Sequence, residues 1–425
     1  MIALALMLAL GQSPDSALKD RVAQLVEQLE STDAKAREAA KAALVKLGAR
    51  VGPLLPDAAK SPLKERLTEV REALDEARGK LNTGASRVTI RGKGMRLTEV
   101  VKALQSQSGN AISDLREEGG ADVTNPSTDL EIVDKPFLEA LDLAAAAAGV
   151  KSTFFTNNGT IGLMADAMMA DPNAPPAPMP AAPALPPIYE GPFRVEFRQI
   201  TLGRDLQAGA TTATAQFVVG WEPRLRPIQM SFKGKDVEIL DDTGATIAAS
   251  VPEEAQAITL GLDNPAAEFN LNIVAPARKA QKLATARVKL EFLAPASIKT
   301  FRFKSLMAKA ETQQQGTVKA TLLGTEVDEG DWTVKVRLTA PSGGPEAESY
   351  QAGTLNNRVW LQRADGSRVE PIGANTLAAD PGNLGFAYFF ADLAGKPADY
   401  TLVVEAPARV VTIPLEFTFK DVPLP

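Results

Sequence analysis

The sequence contains neither histidine nor cysteine in 425 residues, and this double absence excludes much of enzyme chemistry. Histidine is the side chain whose ordinary pKa lies closest to neutrality, so it dominates general acid–base catalysis and metal binding. Without it the chain cannot contain a Ser-His-Asp triad, a Cys-His dyad or a histidine-ligated zinc site. Without cysteine there are no disulfides, thiolate nucleophiles or iron–sulfur ligands. The composition therefore predicts a protein with no catalytic residues, no cofactor and no metal centre, while chemistry based on carboxylates, lysine, serine or tyrosine stays open.

The sequence also lacks an excess of basic residues and, beyond its first residues, long apolar runs. The formal net charge is −6, which argues against nucleic acid as a partner because nucleic-acid-binding faces are basic. No later stretch is apolar for long enough to form a membrane span. The apolar run from Ile2 to Leu10, with small residues at Ala9 and Gly11, predicts a signal peptide over residues 1–11. We therefore expect export to the periplasm or cell surface of a Gram-negative-type bacterium.

Residues 15–82 carry three apolar stripes at helical spacing. Asp33 followed by an alanine-rich helix, Leu47-Gly48 and a short Leu54-Leu55 helix resembles a HEAT repeat, of which about one and a half copies are covered. The alternative is a helical hairpin or short coiled coil, because the stripe from Leu63 to Leu81 alternates steps of four and three residues.

Residues 86–165 predict a small α+β domain built from a duplicated β-α-β unit. Each half has a strand-like alternation, then an amphipathic helix, and the glycines that end the helices, Gly109 and Gly149, occupy matching positions. Asn157-Asn158-Gly159 lies between two short extended runs and predicts a hairpin, because such turns require positive φ.

The pattern is carried by Leu97-Thr-Glu-Val-Val-Lys-Ala-Leu, Ser108-Gly109-Asn110, Asp134-Lys-Pro-Phe-Leu-Glu-Ala-Leu-Asp, Gly149 and the final hairpin. This layout, about 80 residues long, resembles the short N-terminal domain of secretins and TonB-dependent receptors. The resemblance implies a periplasmic domain that makes protein–protein contacts. A channel function is not carried over, because the rest of the sequence does not resemble a secretin pore.

Residues 166–188 contain eight prolines and predict an extended polyproline linker. The sequence beyond it is rich in short alternating runs separated by turn residues, which predicts two immunoglobulin-like β-sandwiches at 189–311 and 316–425. An internal duplication supports two copies, since each half ends in Phe-x-Phe-Lys, at Phe301 and again at Phe417. The fold class is thus multidomain: a HEAT-like helical segment, a small α+β domain and two all-β sandwiches.

One string stands out as a candidate interaction site. In Trp221-Glu-Pro-Arg-Leu-Arg-Pro227 an extended backbone would put Arg224 and Arg226 on one side, beside Trp221, where they could hold a partner's carboxylates. The alternative is that Trp221 belongs to the core and the arginines are solvated. The acidic turn Asp328–Asp331 could bind calcium but is more typical of a β-turn.

The sequence as a whole favours an exported, non-catalytic adaptor or scaffold of the cell envelope, with envelope proteins or polymers as partners. Contacts would be made through strand edges or sandwich loops. One alternative is a surface carbohydrate-binding protein, which an aromatic content of 5% disfavours because sugar platforms need exposed rings. Another is a hydrolase that uses only carboxylates.

Overall fold

The structure is a computed structural model that describes most of the chain. The described residues are 14–56, 61–116, 124–165, 185–204, 206–207, 209, 211–307, 310–316, 318–328, 330–339, 357–380 and 382–425. The chain divides into two compact units, Met1–Asn82 and Thr83–Pro425. The predicted signal peptide lies outside the described residues.

The first unit is helical, as its apolar stripes predict. It contains α1 (Pro14–Gln28), α2 (Ala34–Lys46), a 3₁₀ helix (Ala49–Leu54) and α3 (Lys64–Asn82). The Asp33 carboxylate begins α2 by accepting a hydrogen bond from the Lys35 backbone N–H at 2.9 Å. The stripes meet in one core, which includes Leu25, Leu44 and Leu67. A HEAT-like identity remains a prediction.

The α+β domain opens the second unit, and its elements follow the predicted order: β1 (Arg87–Arg96), α4 (Leu97–Ser108), β2 (Ile112–Asp114), β3 (Ser127–Pro136), α5 (Phe137–Ala147), β4 (Val150–Thr153) and β5 (Ile161–Ala165). Strand β1 pairs antiparallel with β3, and β5 lies between β2 and β4. Gly109 and Gly149 have positive φ where the two helices end. The β4–β5 hairpin is present, with a longer loop than a two-residue turn.

This domain shares its core with the β-rich part of the chain. The buried faces of α4 and α5, which include Val100 and Phe137, pack in one cluster with Val218 and Ala266. Gly220 allows a close approach at this contact, because a Cβ there would lie 2.8 Å from the Phe154 ring.

The described residues beyond the α+β domain are mainly in strands, which confirms the prediction of a mostly β protein. The strands are β6 (Ile188–Glu190), β7 (Phe193–Arg204), β8 (Thr211–Trp221), β9 (Gln229–Phe232), β10 (Val237–Asp241), β11 (Gln256–Thr259), β12 (Ala266–Val274), β13 (Lys282–Phe303), β14 (Glu311–Gln315), β15 (Val318–Asp328), β16 (Asp331–Thr339), β17 (Val359–Arg363), β18 (Arg368–Val369), β19 (Gly373–Asp380), β20 (Asn383–Phe390) and β21 (Tyr400–Pro423). A four-stranded sheet has the order β12-β8-β7-β6, and a five-stranded sheet the order β14-β15-β16-β20-β19.

Both sheets pack on one further sheet, whose centre is the antiparallel pair β13 and β21. These strands are 22 and 24 residues long and stay paired from Lys282 opposite Pro423 to Phe303 opposite Leu402. One end of the pair closes the first hydrophobic core and the other end closes the second. The two sandwiches are therefore joined through continuous strands.

The two halves of the duplication seen in the sequence contain corresponding strand pairs in the structure. Val237 on β10 lies opposite Val288 on β13, and Val359 on β17 lies opposite Val404 on β21. The final strands, however, are exchanged between the halves: Phe301 packs in the second core, and Phe417 packs in the first. The predicted ranges 189–311 and 316–425 therefore do not each contain one sandwich, because pairing along β13 and β21 carries each strand into both cores.

Only the last four residues of the predicted linker over 166–188 are among the described residues. Residues 166–184 lie outside the described residues, while Leu185 and Ile188 pack against the first sandwich core. Within the described helices, none has the length and apolar character needed to cross a membrane.

Candidate functional site

The candidate string forms a corner at the end of β8. Pro223 begins a short 3₁₀ helix, Pro223–Leu225, and Arg226 follows with φ of 47°. The prediction of an extended segment with both arginines on one side is therefore wrong here, because the turn sends successive side chains in different directions. Trp221 is 2% exposed and its ring centroid lies 5.9 Å from that of Phe292, so the indole belongs to the sandwich core.

Glu222 was not predicted as a site residue from the sequence. Its carboxylate is nevertheless the acceptor around which several contacts of this corner are arranged. Its carboxylate is fully buried. It accepts hydrogen bonds from the Ser86 backbone N–H at 2.7 Å and hydroxyl at 2.6 Å, and from the Asn110 amide at 2.9 Å. The Arg224 guanidinium completes the set with an Nε–Oε2 distance of 2.7 Å. A buried carboxylate needs such partners, because an unpaired charge in the interior is strongly unfavourable.

Arg224 also binds the α+β domain directly. Its backbone N–H donates to the Asn110 side-chain oxygen at 3.1 Å, its Nε donates to the Ser86 hydroxyl at 2.9 Å, and its guanidinium donates to the Gly84 carbonyl. Glu222 and Arg224 thus form a polar clasp between the first sandwich and the segment that leads into β1.

Arg226 points to the second sandwich instead. Its Nη1 lies 2.6 Å from the Glu405 carboxylate on β21, and both side chains are mostly buried. The corner therefore brings Trp221, Arg224 and Arg226 close in sequence but assigns them to three different contacts: the first core, the α+β domain and the second sandwich.

A second polar cluster ties α5 to the same sandwich. The Asp142 carboxylate on α5 accepts from Tyr189 Oη and from Arg194 Nε, each at 2.5 Å. Arg194 also pairs with Glu196, and its guanidinium carbon lies 5.6 Å from the Phe154 ring centroid. Burial, together with the negative charge of Asp142, raises the pKa of the Tyr189 phenol, so its hydroxyl remains a hydrogen-bond donor at physiological pH.

The predicted Asn157-Asn158-Gly159 turn makes a third contact. The Gly159 N–H donates to the Asp263 carbonyl at 2.6 Å, and the Asn157 N–H donates to the Asn264 side chain at 2.9 Å. Gly159 has φ of 73°, and a Cβ there would lie 2.8 Å from the Leu262 carbonyl oxygen. Positive φ and close backbone approach both require glycine at this position.

The described part of the chain contains no group of three or more Asp or Glu residues that could hold a metal ion. Asp328 and Asp331 lie opposite each other where the β15–β16 hairpin turns, and Glu329 between them lies outside the described residues.

The corner and the Asp142 cluster use charged groups to hold parts of one chain together, and the Gly159 turn uses backbone and amide groups. In comparisons with known proteins, no family model matches this chain, and no curated protein shows significant sequence similarity to it.

Proposed function

We propose that the protein is an exported, non-catalytic adaptor of the bacterial cell envelope that binds other proteins. Its α+β domain and sandwiches form one compact unit, and the clasp at Glu222 and the Asp142–Arg194 cluster join them. Such a unit suits a scaffold, because it holds binding surfaces at fixed positions relative to one another.

The observation that carries the proposal is the edge strand β19. Among the described strands it pairs only with β20, and residues 373–377 are exposed on both faces. Ile372 and Leu377 are 75% and 51% exposed. The strand contains no lysine, arginine or proline, which are the residues that commonly block unwanted pairing at a sheet edge.

We infer that a partner adds a β-strand to this edge. Addition would give main-chain hydrogen bonds to the regular part of β19, Gly373–Thr376, and would cover the apolar side chains next to it. The register shift between Thr376 and Ala378 ends that regular part, so the added segment should be short.

Carbohydrate binding is a weaker alternative. The large aromatic side chains of both sandwiches lie in the cores: Trp221, Trp332 and Phe390 are each 2% exposed or less. Among the described aromatic residues, Phe155 in the α+β domain is the one most open to solvent, at 39%. A sugar platform needs several exposed rings on one face, and these positions do not supply it.

The test is crosslinking and capture from an envelope fraction with the full chain and two matched double variants. Ala374→Lys with Leu377→Lys adds charge to the β19 edge. Val133→Lys with Leu143→Lys adds the same charge at two similarly exposed apolar residues of the α+β domain, which are 43% and 46% exposed.

We expect a specific protein to be captured by the wild type and by the α+β control, and to be depleted about tenfold or more with the edge variant. Equal capture by both variants would show that β19 is not the contact. Failure of all three proteins to capture a protein, or retention on a polysaccharide matrix instead, would contradict the adaptor proposal. Cell fractionation tests the export part separately.

A further inference from the structure

A cleft lies where the Gly159 turn meets both sandwiches. Two adjoining hollows, both open to solvent, share Arg226, Leu262 and Arg358 in their walls. The larger one is otherwise mainly apolar, with Ile228, Pro295 and Ile298 contributing to its lining. The cleft thus combines guanidinium groups with an apolar wall, as ligand sites commonly do.

Arg358 is the group in this cleft whose charge is least compensated. Arg226 is paired with Glu405 at 2.6 Å, whereas no carboxylate among the described residues lies within ion-pair distance of the Arg358 guanidinium. Burial, followed by the positive charge of Arg226, lowers the pKa of Arg358. A half-buried arginine near a like charge is a group that gains from binding an anion.

The surrounding charges favour one negative charge on that anion. The charged groups that act on Arg358 are Arg226, Arg368, Glu370 and Glu405. Together with Arg358 they make three guanidiniums and two carboxylates, so one positive charge is left over. A monoanion would neutralise the cleft, whereas a dianion would be left facing Glu405 and Glu370.

Asn357 provides a second polar group in the wall of this cleft. Both polar atoms of its side chain are buried, and neither has a hydrogen-bond partner among the described residues. Asn357 interacts weakly with the nearby Tyr388 phenol and opposes the rise in that phenol's pKa, but the pair does not reach the geometry of a full hydrogen bond. Because buried amides are normally hydrogen-bonded, the unpartnered Asn357 in the wall of the larger cavity points to a group that it would bind.

We infer that this cleft binds a carboxylate group of a small acid or of a peptide chain end, with Arg358 as its charged partner and Asn357 as a second donor. A planar carboxylate can accept two hydrogen bonds from one guanidinium, and it carries the single negative charge that the cleft favours. The apolar wall fits a short aliphatic substituent. This binding is independent of strand addition at β19, and each can fail without the other.

The test uses calorimetric titration of the full chain with N-acetylalanine, with N-acetylalanine amide as the neutral control. We expect saturable binding of the acid only, and weaker binding of inorganic phosphate. An acetylated trialanine acid and its amide then separate the two sources: tighter binding of the tripeptide acid identifies a chain end as the ligand, and equal binding identifies a small acid.

Three variants decide whether Arg358 carries the binding. Arg358→Gln should weaken N-acetylalanine binding by about tenfold to a hundredfold, since it removes charge-assisted hydrogen bonds. Arg337→Gln, at an exposed arginine of β16, should leave it unchanged. Glu405→Gln frees Arg226 from its carboxylate partner and should strengthen binding, an effect that a purely structural role for these residues does not produce.

The proposal is overturned if the acid and the amide bind alike, if phosphate binds more tightly than the acid, or if Arg358→Gln and Arg337→Gln behave the same. It is also overturned if a folded Glu405→Gln variant binds the acid less tightly than the wild type. Circular dichroism of each variant establishes that it is folded before titration.

Discussion

Replacing Glu222 with glutamine tests whether the buried clasp holds the α+β domain to the first sandwich. One carboxylate oxygen accepts from the Ser86 backbone N–H, and the other accepts from the Ser86 hydroxyl, the Asn110 amide and Arg224. A glutamine amide brings its own N–H₂ against donors in either orientation, and it removes the negative charge that lies beside the Arg224 guanidinium. Removing one partner of a buried pair costs about 3–5 kcal/mol of the free energy of unfolding, and we expect a loss near the lower end because one acceptor oxygen remains.

Urea denaturation followed by tryptophan fluorescence measures this loss. All three tryptophans are buried, at 2–3% exposure, and they lie in both sandwiches. The matched control is Glu268→Gln, since Glu268 pairs with Arg198 on the surface, where the two side chains are 43% and 45% exposed. That substitution should change the free energy of unfolding by about 0–1 kcal/mol. If Glu222→Gln costs less than about 1 kcal/mol, or no more than the control, the reasoning on the buried clasp is refuted.

Two further substitutions test the packing. Phe417→Ala removes a ring that is 2% exposed and lies 5.6 Å from Phe217, so we expect a loss of about 3–5 kcal/mol. Hydrogen-exchange mass spectrometry should show reduced protection in β7 and β8 of the first sandwich, and loss confined to β15 and β16 would contradict the exchange of final strands. Gly220→Ala places a methyl group against the Phe154 ring and should cost about 1–3 kcal/mol in the same urea assay. Adding Phe154→Leu should restore part of that stability, and a double variant no more stable than the single one would show that the contact is not limiting.

The sequence predicted the structure best where helices, strands and turns depend on residues that are close together in the chain. In the α+β domain each helix and strand follows from apolar spacing and from a glycine at the helix end, so the elements could be placed within a few residues. The Asn157-Asn158-Gly159 turn was also readable, because Asn157 and Gly159 adopt the positive φ that the pattern predicts.

The features that the sequence did not predict depend on contacts between residues that are far apart along the chain. Glu222 looks like an ordinary exposed acidic residue until folding brings up Ser86, 136 positions away, and Asn110, 112 positions away. Arg224 and Arg226 diverge because the chain forms a 3₁₀ turn and then adopts a positive φ at Arg226, which non-glycine residues rarely do. Alternation likewise predicts that β13 and β21 are strands, but a period of two carries no information on which core each end enters.

The long pair of strands has a consequence for how the chain acquires its structure during synthesis. The ribosome delivers β7, β8 and β12 of the first sandwich long before Phe417 and Phe419, which complete their core. Until then Phe217 and Phe269 lack that cover, so the first sandwich can become native only after the second has emerged almost entirely. Contacts between such distant segments slow folding and leave apolar surface open in the meantime. The two sandwiches should therefore mature together in one late step, with neither available as a finished domain while the other is still being made.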